Sequence, residues 1–140
     1  MIAIDSSSLV HYLAGSSGED VEAVEIALAQ SQGCLPPVVL SEVLSDPTLP
    51  RRLEEVLLQI PTLDLTPGFW ERAGRLRARI RGMGRKAKLA DTLIAQSCLD
   101  HDVTLVTRDR DFRQFRAVGL RLVPDTSPAK TGARLRGGRG

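Results

Sequence analysis

Hydrophobic positions follow two different spacings along nearly the whole chain. Short apolar runs typical of buried strands are predicted at residues 2–4, 34–35, 62–65, 103–107 and 120–123. Between these runs, apolar residues recur every three or four positions, as in amphipathic helices, at about 9–13, 21–28, 38–44, 53–60, 69–80 and 89–98. Strands that alternate with helices in this way predict an α/β fold with a parallel sheet and helices on both faces.

Capping and turn residues mark several boundaries between these elements. Three serines at positions 6–8 follow the first strand and are predicted to cap the next helix. Thr66 is predicted to be the N-cap of another helix, because Pro67 suits the first helical position. A loop is predicted over residues 108–110, directly after the strand at 103–107.

The 140 residues are enough for one domain, predicted at 1–125, followed by a tail at 126–140. The tail contains four basic residues, no acidic residue and no apolar periodicity, so we expect it to be disordered. The net charge is +2 for the whole chain and −2 without the tail. The overall charge therefore gives no indication of the partner, and local patches have to supply it.

Cysteine usage and apolar runs indicate a protein of the cytoplasm. Cys34 and Cys98 have neither metal-ligand spacing nor a disulfide pattern, so we expect reduced, buried thiols. No apolar run approaches the roughly 20 residues that span a bilayer. The first strand meets Asp5 too early for a signal peptide, and no membrane association is expected.

Four carboxylates occupy positions that a solvated surface does not explain. Asp5 directly follows the first strand, and Asp109 follows the strand at 103–107, so both fall at the edge of the sheet where α/β proteins bind ligands. Glu42 lies inside an apolar helix, and Asp91 opens another one. Because a buried unpaired charge is costly, such groups usually pair or bind a metal. Oxygen ligands favour Mg²⁺ or Mn²⁺.

Each carboxylate also has a simpler interpretation. Asp5 and Asp91 could be helix caps, Glu42 could lie on a helix edge, and Asp109 could be a turn residue. No single position decides between the two interpretations. Only the joint placement of the four residues favours a metal site.

The acidic segments together resemble the PIN domain, and the VapC toxins in particular. The segments are IDSS at 4–7, LSEVL at 40–44, LADTLIA at 89–95 and LVTRDRDF at 105–112. The first two are weak motifs, whereas the last two, in this order and separated by a strand, are specific. The resemblance extends from residue 1 to about residue 123. One departure is that residues 43–47 lack the glycine found in many relatives, which affects the helix end and not Glu42.

This resemblance implies a three-layer α/β/α sandwich with a central parallel sheet. It implies a metal-dependent endoribonuclease that hydrolyses RNA phosphodiester bonds, with water activated by one or two Mg²⁺ or Mn²⁺ ions. The catalytic and metal-binding residues would be Asp5, Glu42, Asp91 and Asp109. Ser7 and Thr107 match supporting hydroxyls of the family, and Asp111 competes with Asp109 but is expected to face solvent.

The same resemblance implies the partners. A VapC-type protein would be the toxin of a type II toxin–antitoxin pair and would act in the cytoplasm. We expect a homodimer that binds a small antitoxin, whose C-terminal segment would cover the acidic pocket.

Basic residues next to the third acidic segment are candidates for binding RNA phosphates. Arg85, Lys86 and Lys88 directly precede Asp91. The preceding helix carries five more arginines, at 72, 75, 77, 79 and 81. For these five, an ordinary solvated helix face is the stronger interpretation.

Three other functions are alternatives to a toxin. A phosphatase or receiver-like domain is disfavoured because Asp64 lies inside a predicted strand and no lysine follows the strand at 103–107. A PIN domain that only binds partners would usually have lost some acids, and all four are present. A PIN nuclease of RNA processing remains the main alternative, and the short single-domain chain favours the toxin.

Overall fold

A four-stranded parallel sheet forms the centre of the computed structural model, which describes residues 1–125. The strands are β1 (Ile2–Ile4), β2 (Gly33–Cys34), β3 (Thr104–Val106) and β4 (Leu122–Val123). Their order is β2-β1-β3-β4, and all three neighbouring pairs are parallel. The sequence pattern predicted these four strands and their parallel arrangement.

Six α-helices and one 3-10 helix surround the sheet within the described residues. They are α1 (Ser6–Leu13), α2 (Glu19–Ala29), α3 (Pro37–Leu44), α4 (Arg51–Leu58), α5 (Phe69–Gly82), α6 (Leu89–His101) and the 3-10 helix Arg110–Val118. Helices α2 and α6 both pack against β3, α5 packs on α6, and α1 packs on α2 and α3. The molecule is thus the three-layer α/β/α sandwich that the sequence predicted.

The strand predicted at 62–65 is wrong. Only Thr62 takes part in a ladder, as an isolated parallel bridge to Leu35. The backbone N–H of Leu63 donates to the carbonyl of Leu35 at 2.9 Å. The next residues, Asp64 and Leu65, are exposed, and the Asp64 carbonyl lies 2.8 Å from His101 Nε2, so neither ladder bonds nor a buried face extend the bridge.

Two predicted helix caps are also wrong. The N-cap of α5 is Gly68, with φ +82°, and the Thr66 hydroxyl donates to Asp100 on α6 instead. The serines do not cap α1, because the helix already begins at Ser6 and Asp5 occupies the N-cap position. Thr66 and Ser6 make long-range hydrogen bonds instead, to Asp100 and Glu42, and these outweigh the local capping bonds that the sequence pattern favours.

The two central strands are completely enclosed by the core. Ala3, Ile4, Leu105 and Val106 have no solvent exposure, and neither have Phe112 and Phe115 of the 3-10 helix. Burial on both faces explains why β1 and β3 are continuous apolar runs without alternation. The predicted free, buried cysteines are confirmed, since Cys34 and Cys98 are both buried and unbonded to each other.

A polar network joins α5 to α6 away from the sheet. Arg72 donates to both carboxylate oxygens of Asp100, at 3.1 and 2.6 Å, and Gln96 donates to the same carboxylate at 2.8 Å. Burial alone would raise the pKa of Asp100, but the bonds from Arg72 and Gln96 outweigh it and lower the pKa. One of the five α5 arginines therefore serves helix packing.

Two predictions concern the tail and membranes. The tail predicted to be disordered, 126–140, lies outside the described residues. Among residues 1–125, none of the helices has the length and apolar character needed to cross a bilayer.

The core predicts a contrast between two aromatic residues. Phe115→Ala should lower the free energy of unfolding by about 3–5 kcal/mol, because Phe115 is fully buried against Phe112. Trp70→Ala should change it by less than about 1 kcal/mol, because Trp70 is 62% exposed. Urea denaturation followed by circular dichroism measures both. Equal losses in the two variants would contradict this core assignment.

Candidate active site

The crevice between β1 and β3 lies at the topological switch point of the sheet, where the connections from neighbouring strands run to opposite edges. The chain leaves β1 toward β2 on one side and leaves β3 toward β4 on the other. In parallel sheets, the carboxyl ends of strands at such a point leave an open crevice that binds ligands. Asp5 directly follows β1, and residues 107–109 directly follow β3.

Asp5 is held in this crevice by the sheet register and by two hydroxyls. The pairing of Ile4 with Val106 continues as a hydrogen bond from the Asp5 N–H to the Val106 carbonyl, at 2.9 Å. Asp5 Oδ2 accepts hydrogen bonds from Ser7 at 2.7 Å and from Thr107 at 2.8 Å. Asp5 stands at the N-cap position of α1, yet its side chain makes no capping bond. The side chain is therefore oriented into the crevice and not used as a cap.

Thr107 connects Asp5 to the acidic residues after β3. Its hydroxyl oxygen accepts from the Asp109 N–H at 3.0 Å while the hydroxyl proton goes to Asp5. Asp109 Oδ1 in turn accepts from the Asp111 N–H at 2.9 Å, which makes Asp109 the cap of the 3-10 helix. The predicted loop at 108–110 thus ends in a helix, and this cap brings Asp109 and Asp111 to one side.

Asp91 is a buried carboxylate with an unpartnered oxygen. It lies in the first turn of α6, is 9% exposed, and its Oδ2 has no hydrogen-bond partner within residues 1–125. Burial, together with the charges of Asp109 and Asp5, raises the pKa of Asp91 to about 6, although the charge of Lys88 acts in the opposite direction. Asp91 is two residues inside the helix and caps nothing. A bound cation would therefore stabilise the charged form of Asp91.

The carboxylates of Asp91, Asp109 and Asp111 form a tight group. One ligand oxygen from each lies within 4.8 Å of the others. The Asp111 side chain is 56% exposed, as predicted, and lies 3.7 Å from Lys88. Sequence reasoning set Asp111 against Asp109 as rivals, whereas the structure places both in one group. The sequence signal for this grouping is the spacing of two residues between Asp109 and Asp111, in which the first aspartate caps a helix that contains the second. The prediction of a loop at 108–110 did not include this helix cap.

Glu42 lies outside this tight group. It is exposed on α3, which buries Val39 and Val43, so the expectation of a carboxylate enclosed by an apolar helix is wrong. Glu42 Oε1 accepts a hydrogen bond from Ser6 at 2.7 Å, and the same hydroxyl lies 3.5 Å from Asp5 Oδ1. Ser6, which sequence reasoning overlooked, therefore links Glu42 to the crevice.

A cleft of about 290 Å³, the lysine cleft, opens beside the acidic group. It is lined by Lys86, Lys88, Asp91, Arg110, Asp111 and Gln114. Two of the three predicted phosphate-binding residues thus face this cleft. Arg85 instead reaches the Gln114 carbonyl at 3.5 Å, and the α5 arginines Arg72 and Arg77 bond to Asp100 and the Ala87 carbonyl.

The fold and the crevice define the class of protein. The family model of the PIN domain matches residues 2–118. This chain belongs to the PIN domain family. Among curated proteins, none matches it in sequence.

Solved structures of the same fold cover most of the chain. VapBC2 from Rickettsia felis, bound to a DNA fragment from its promoter, is similar with a TM-score of 0.64 and 18% identity, over 87% of this chain and 97% of that one. FitAcB from Neisseria gonorrhoeae gives a TM-score of 0.63 and 20% identity, over 87% and 96%. FitAB bound to the IR36 DNA fragment gives 0.65 and 20%, over 87% and 93%. At this identity the likeness concerns the fold alone.

The raised pKa of Asp91 predicts a pH-dependent stability in chelator. A folded pKa of about 6, above the ordinary 3.8, means that the stabilisation from protonated Asp91 is complete below about pH 4 and lost as the pH rises through about 6. Relative to Asp91→Asn, the wild type should lose on the order of 2 kcal/mol of unfolding free energy between about pH 4 and pH 7.

Urea denaturation of both proteins across this pH range measures the difference. Mn²⁺ at about pH 7 should restore stability to the wild type more than to the variant, because the cation neutralises a charge that the variant lacks. A difference that does not change with pH would show that Asp91 is already neutralised by the protein.

Proposed function

We propose that this protein is a metal-dependent endoribonuclease and the toxin of a toxin–antitoxin pair. The observation that carries the proposal is the buried Asp91 oxygen without a partner, beside the carboxylates of Asp109 and Asp111. A purely structural aspartate in a well-packed fold would be paired or exposed. A group of three acids, in which the exposed Lys88 pairs only with Asp111 among the described residues, fits a site that binds metal.

The residues present fit a divalent cation such as Mg²⁺ or Mn²⁺. Asp91, Asp109 and Asp111 would hold it with oxygen ligands only, which these ions prefer. Asp5 and, through Ser6, Glu42 would complete the acidic surroundings. When bound, the cation would activate water and neutralise charge on a phosphodiester.

The hydroxyls around Asp5 define what that residue contributes. Ser7 and Thr107 donate to Asp5 Oδ2, whereas Oδ1 has only the Ser6 hydroxyl at 3.5 Å within residues 1–125, and that hydroxyl also donates to Glu42. Oδ1 is therefore the oxygen proposed to face a cation or a water molecule. Because Ser7 lies in α1 and the Thr107 N–H donates to the Val123 carbonyl at 3.0 Å, Oδ1 would be held in place before substrate binds. Ser7 and Thr107 are thus proposed to be positioning residues, and Asp5 a residue that orients water or metal.

Lysines on the rim would offset the negative charge of the acids toward RNA. Lys86 and Lys88 are exposed in the lysine cleft, and Lys88 lies close enough to Asp111 to bring a phosphate next to the acidic group. Such contacts position a nucleic acid without reading its bases. The RNA substrate is supported by the VapC-like motifs around Asp91 and Asp109.

RNA cleavage should require a divalent cation and the buried acids. Asp5→Asn and Asp91→Asn should each lower the cleavage rate at least about 100-fold, since each removes a negative charge beside the metal. Asp64→Asn, an exposed aspartate outside the acidic group, is the matched control. Cleavage of labelled RNA with Mg²⁺, Mn²⁺ or chelator measures the effect.

The melting temperature in Mn²⁺ gives a second measurement that does not depend on activity. It should rise for the wild type and for Asp64→Asn, and rise less for Asp91→Asn. Full activity in chelator, or in Asp91→Asn, would contradict the proposed mechanism.

An apolar groove next to Glu42 supports a protein partner. It has a volume of about 240 Å³, runs between α1, α3 and α4, and contains Glu42 at one end. Val10, which lines it, is 48% exposed. We propose that an antitoxin segment fills this groove and continues over the acidic group, in a homodimeric toxin. Structures of VapBC2 and FitAB as complexes share the fold.

Co-expression with the product of a small adjacent gene tests this partner. Val10→Lys should abolish co-purification, because a charge would enter the apolar groove. Ile26→Lys is the matched control, since Ile26 is 56% exposed on α2 and does not line the groove. Light scattering of the purified toxin measures the dimer. A neighbouring gene whose product does not bind the wild type would favour an RNA-processing nuclease instead.

A further inference from the structure

A second basic cleft borders the residues that follow β3. This arginine cleft has a volume of about 260 Å³ and includes Thr107 and Asp109 of the acidic site. Its basic residues are Arg108, Arg110 and Arg113. Arg110 also lines the lysine cleft, so one exposed side chain joins the two clefts beside the acidic group.

The arginine cleft contains an ion pair between Arg108 and Asp20. Arg108 Nε lies 2.8 Å from Asp20 Oδ2, and Arg108 Nη2 lies 3.0 Å from Asp20 Oδ1. Asp20 is 4% exposed. Burial by itself would raise the pKa of Asp20, but the hydrogen bonds from Arg108 outweigh this effect and lower the pKa. A Cβ at Gly18, whose φ is +144°, would approach Asp20 Oδ1 to 2.8 Å. The local backbone therefore leaves room for this pair.

The other charged residues of the arginine cleft are suited to bind a phosphate. Arg108 neutralises Asp20. The remaining charged residues of the cleft are two cations, Arg110 and Arg113, and two anions, Glu19 and Asp109. Asp109 belongs to the group that would face a cation. Arg110 is exposed and makes no hydrogen bond or ion pair within residues 1–125, whereas the half-buried Arg113 is already engaged in a contact. If a cation bound Asp109, the charges of Arg110 and Arg113 would outweigh that of Glu19.

We propose that the arginine cleft, which borders Asp109, binds a backbone phosphate of the RNA strand, while the lysine cleft, which borders Asp91 and Asp111, binds another. The strand would then cross the acidic group with one phosphate in each cleft and Arg110 between them. A strand is favoured over a small anion because the two clefts flank one acidic site and share a residue. RNA as the ligand rests on the proposed function.

Binding of a labelled single-stranded RNA of about twelve nucleotides, long enough to span both clefts, tests the proposal. Ca²⁺ replaces Mg²⁺ as the oxygen-bound cation, and a gel confirms that the RNA stays intact. The variants are Arg113→Gln and Arg110→Gln, with Arg113→Lys as the charge-retaining control and Arg52→Gln, an exposed arginine of α4 outside both clefts, as the matched control.

Both glutamine variants should weaken binding roughly three- to tenfold, and the slope of log Kd against log salt should fall by about 0.7 for each lost contact. Arg113→Lys should retain most of the affinity, and Arg52→Gln all of it. The losses in Lys86→Gln and Arg113→Gln should multiply in the double variant, because one strand occupies both clefts.

Three outcomes would overturn the proposal. They are wild-type affinity in Arg113→Gln, an equal loss in Arg113→Lys at unchanged melting temperature, or a double variant that binds as well as Lys86→Gln. Cleavage of the same RNA in Mn²⁺ is measured separately. If the wild type binds through Arg113 but cleaves no RNA, the nuclease proposal fails and the cleft assignment stands. If it cleaves and Arg113→Gln binds normally, only the cleft assignment fails.

Discussion

The buried hydrogen bond from Thr107 to Asp5 joins the ends of the two central strands, and the acidic site depends on it. It follows from the register of β1 and β3, which sets Ile4 beside Val106 and the next residues side by side. That register is fixed because a shift would move completely buried side chains out of the core. Since the same hydroxyl accepts from the Asp109 N–H, one residue orients the acids that follow both strands.

Buried acids elsewhere in the molecule show how unusual Asp91 is. Asp20 is neutralised by Arg108, and Asp100 by Arg72, and both carboxyls have lowered pKa values. Asp91 instead has a raised pKa, an unpartnered oxygen and further carboxylates nearby. The fold pairs these two acids with arginines, whereas the only cation paired with the acidic group among residues 1–125 is Lys88, at 3.7 Å from the exposed Asp111. A divalent cation would balance the remaining negative charge of the group.

The basic residues complement this arrangement from the rim. Lys86 and Lys88 line the cleft that contains Asp91 and Asp111, Arg113 lines the cleft that contains Asp109, and Arg110 lines both. Because Lys86, Lys88 and Arg110 are exposed, they would attract phosphates, and within the described part of the chain only Lys88 of these three pairs with one of the acids, the exposed Asp111. Positive charge at the rim and negative charge at the centre together suit a polyanion whose cleavage needs a cation.

The sequence by itself determined the alternation of the four strands with helices, the parallel sheet, and the places of Asp5 and Asp109 after β1 and β3. These follow from local periodicity and from the rule that ligands bind where parallel strands end, and both are readable in the chain. Tertiary structure decided that Asp111 joins Asp91, that Glu42 is exposed and reaches the site through Ser6, and that Thr66 binds Asp100 instead of capping a helix. It also decided that Arg108 pairs with Asp20 and Arg72 with Asp100. Side chains far apart in sequence make these contacts, and their energies outweigh the local preferences that a sequence pattern expresses.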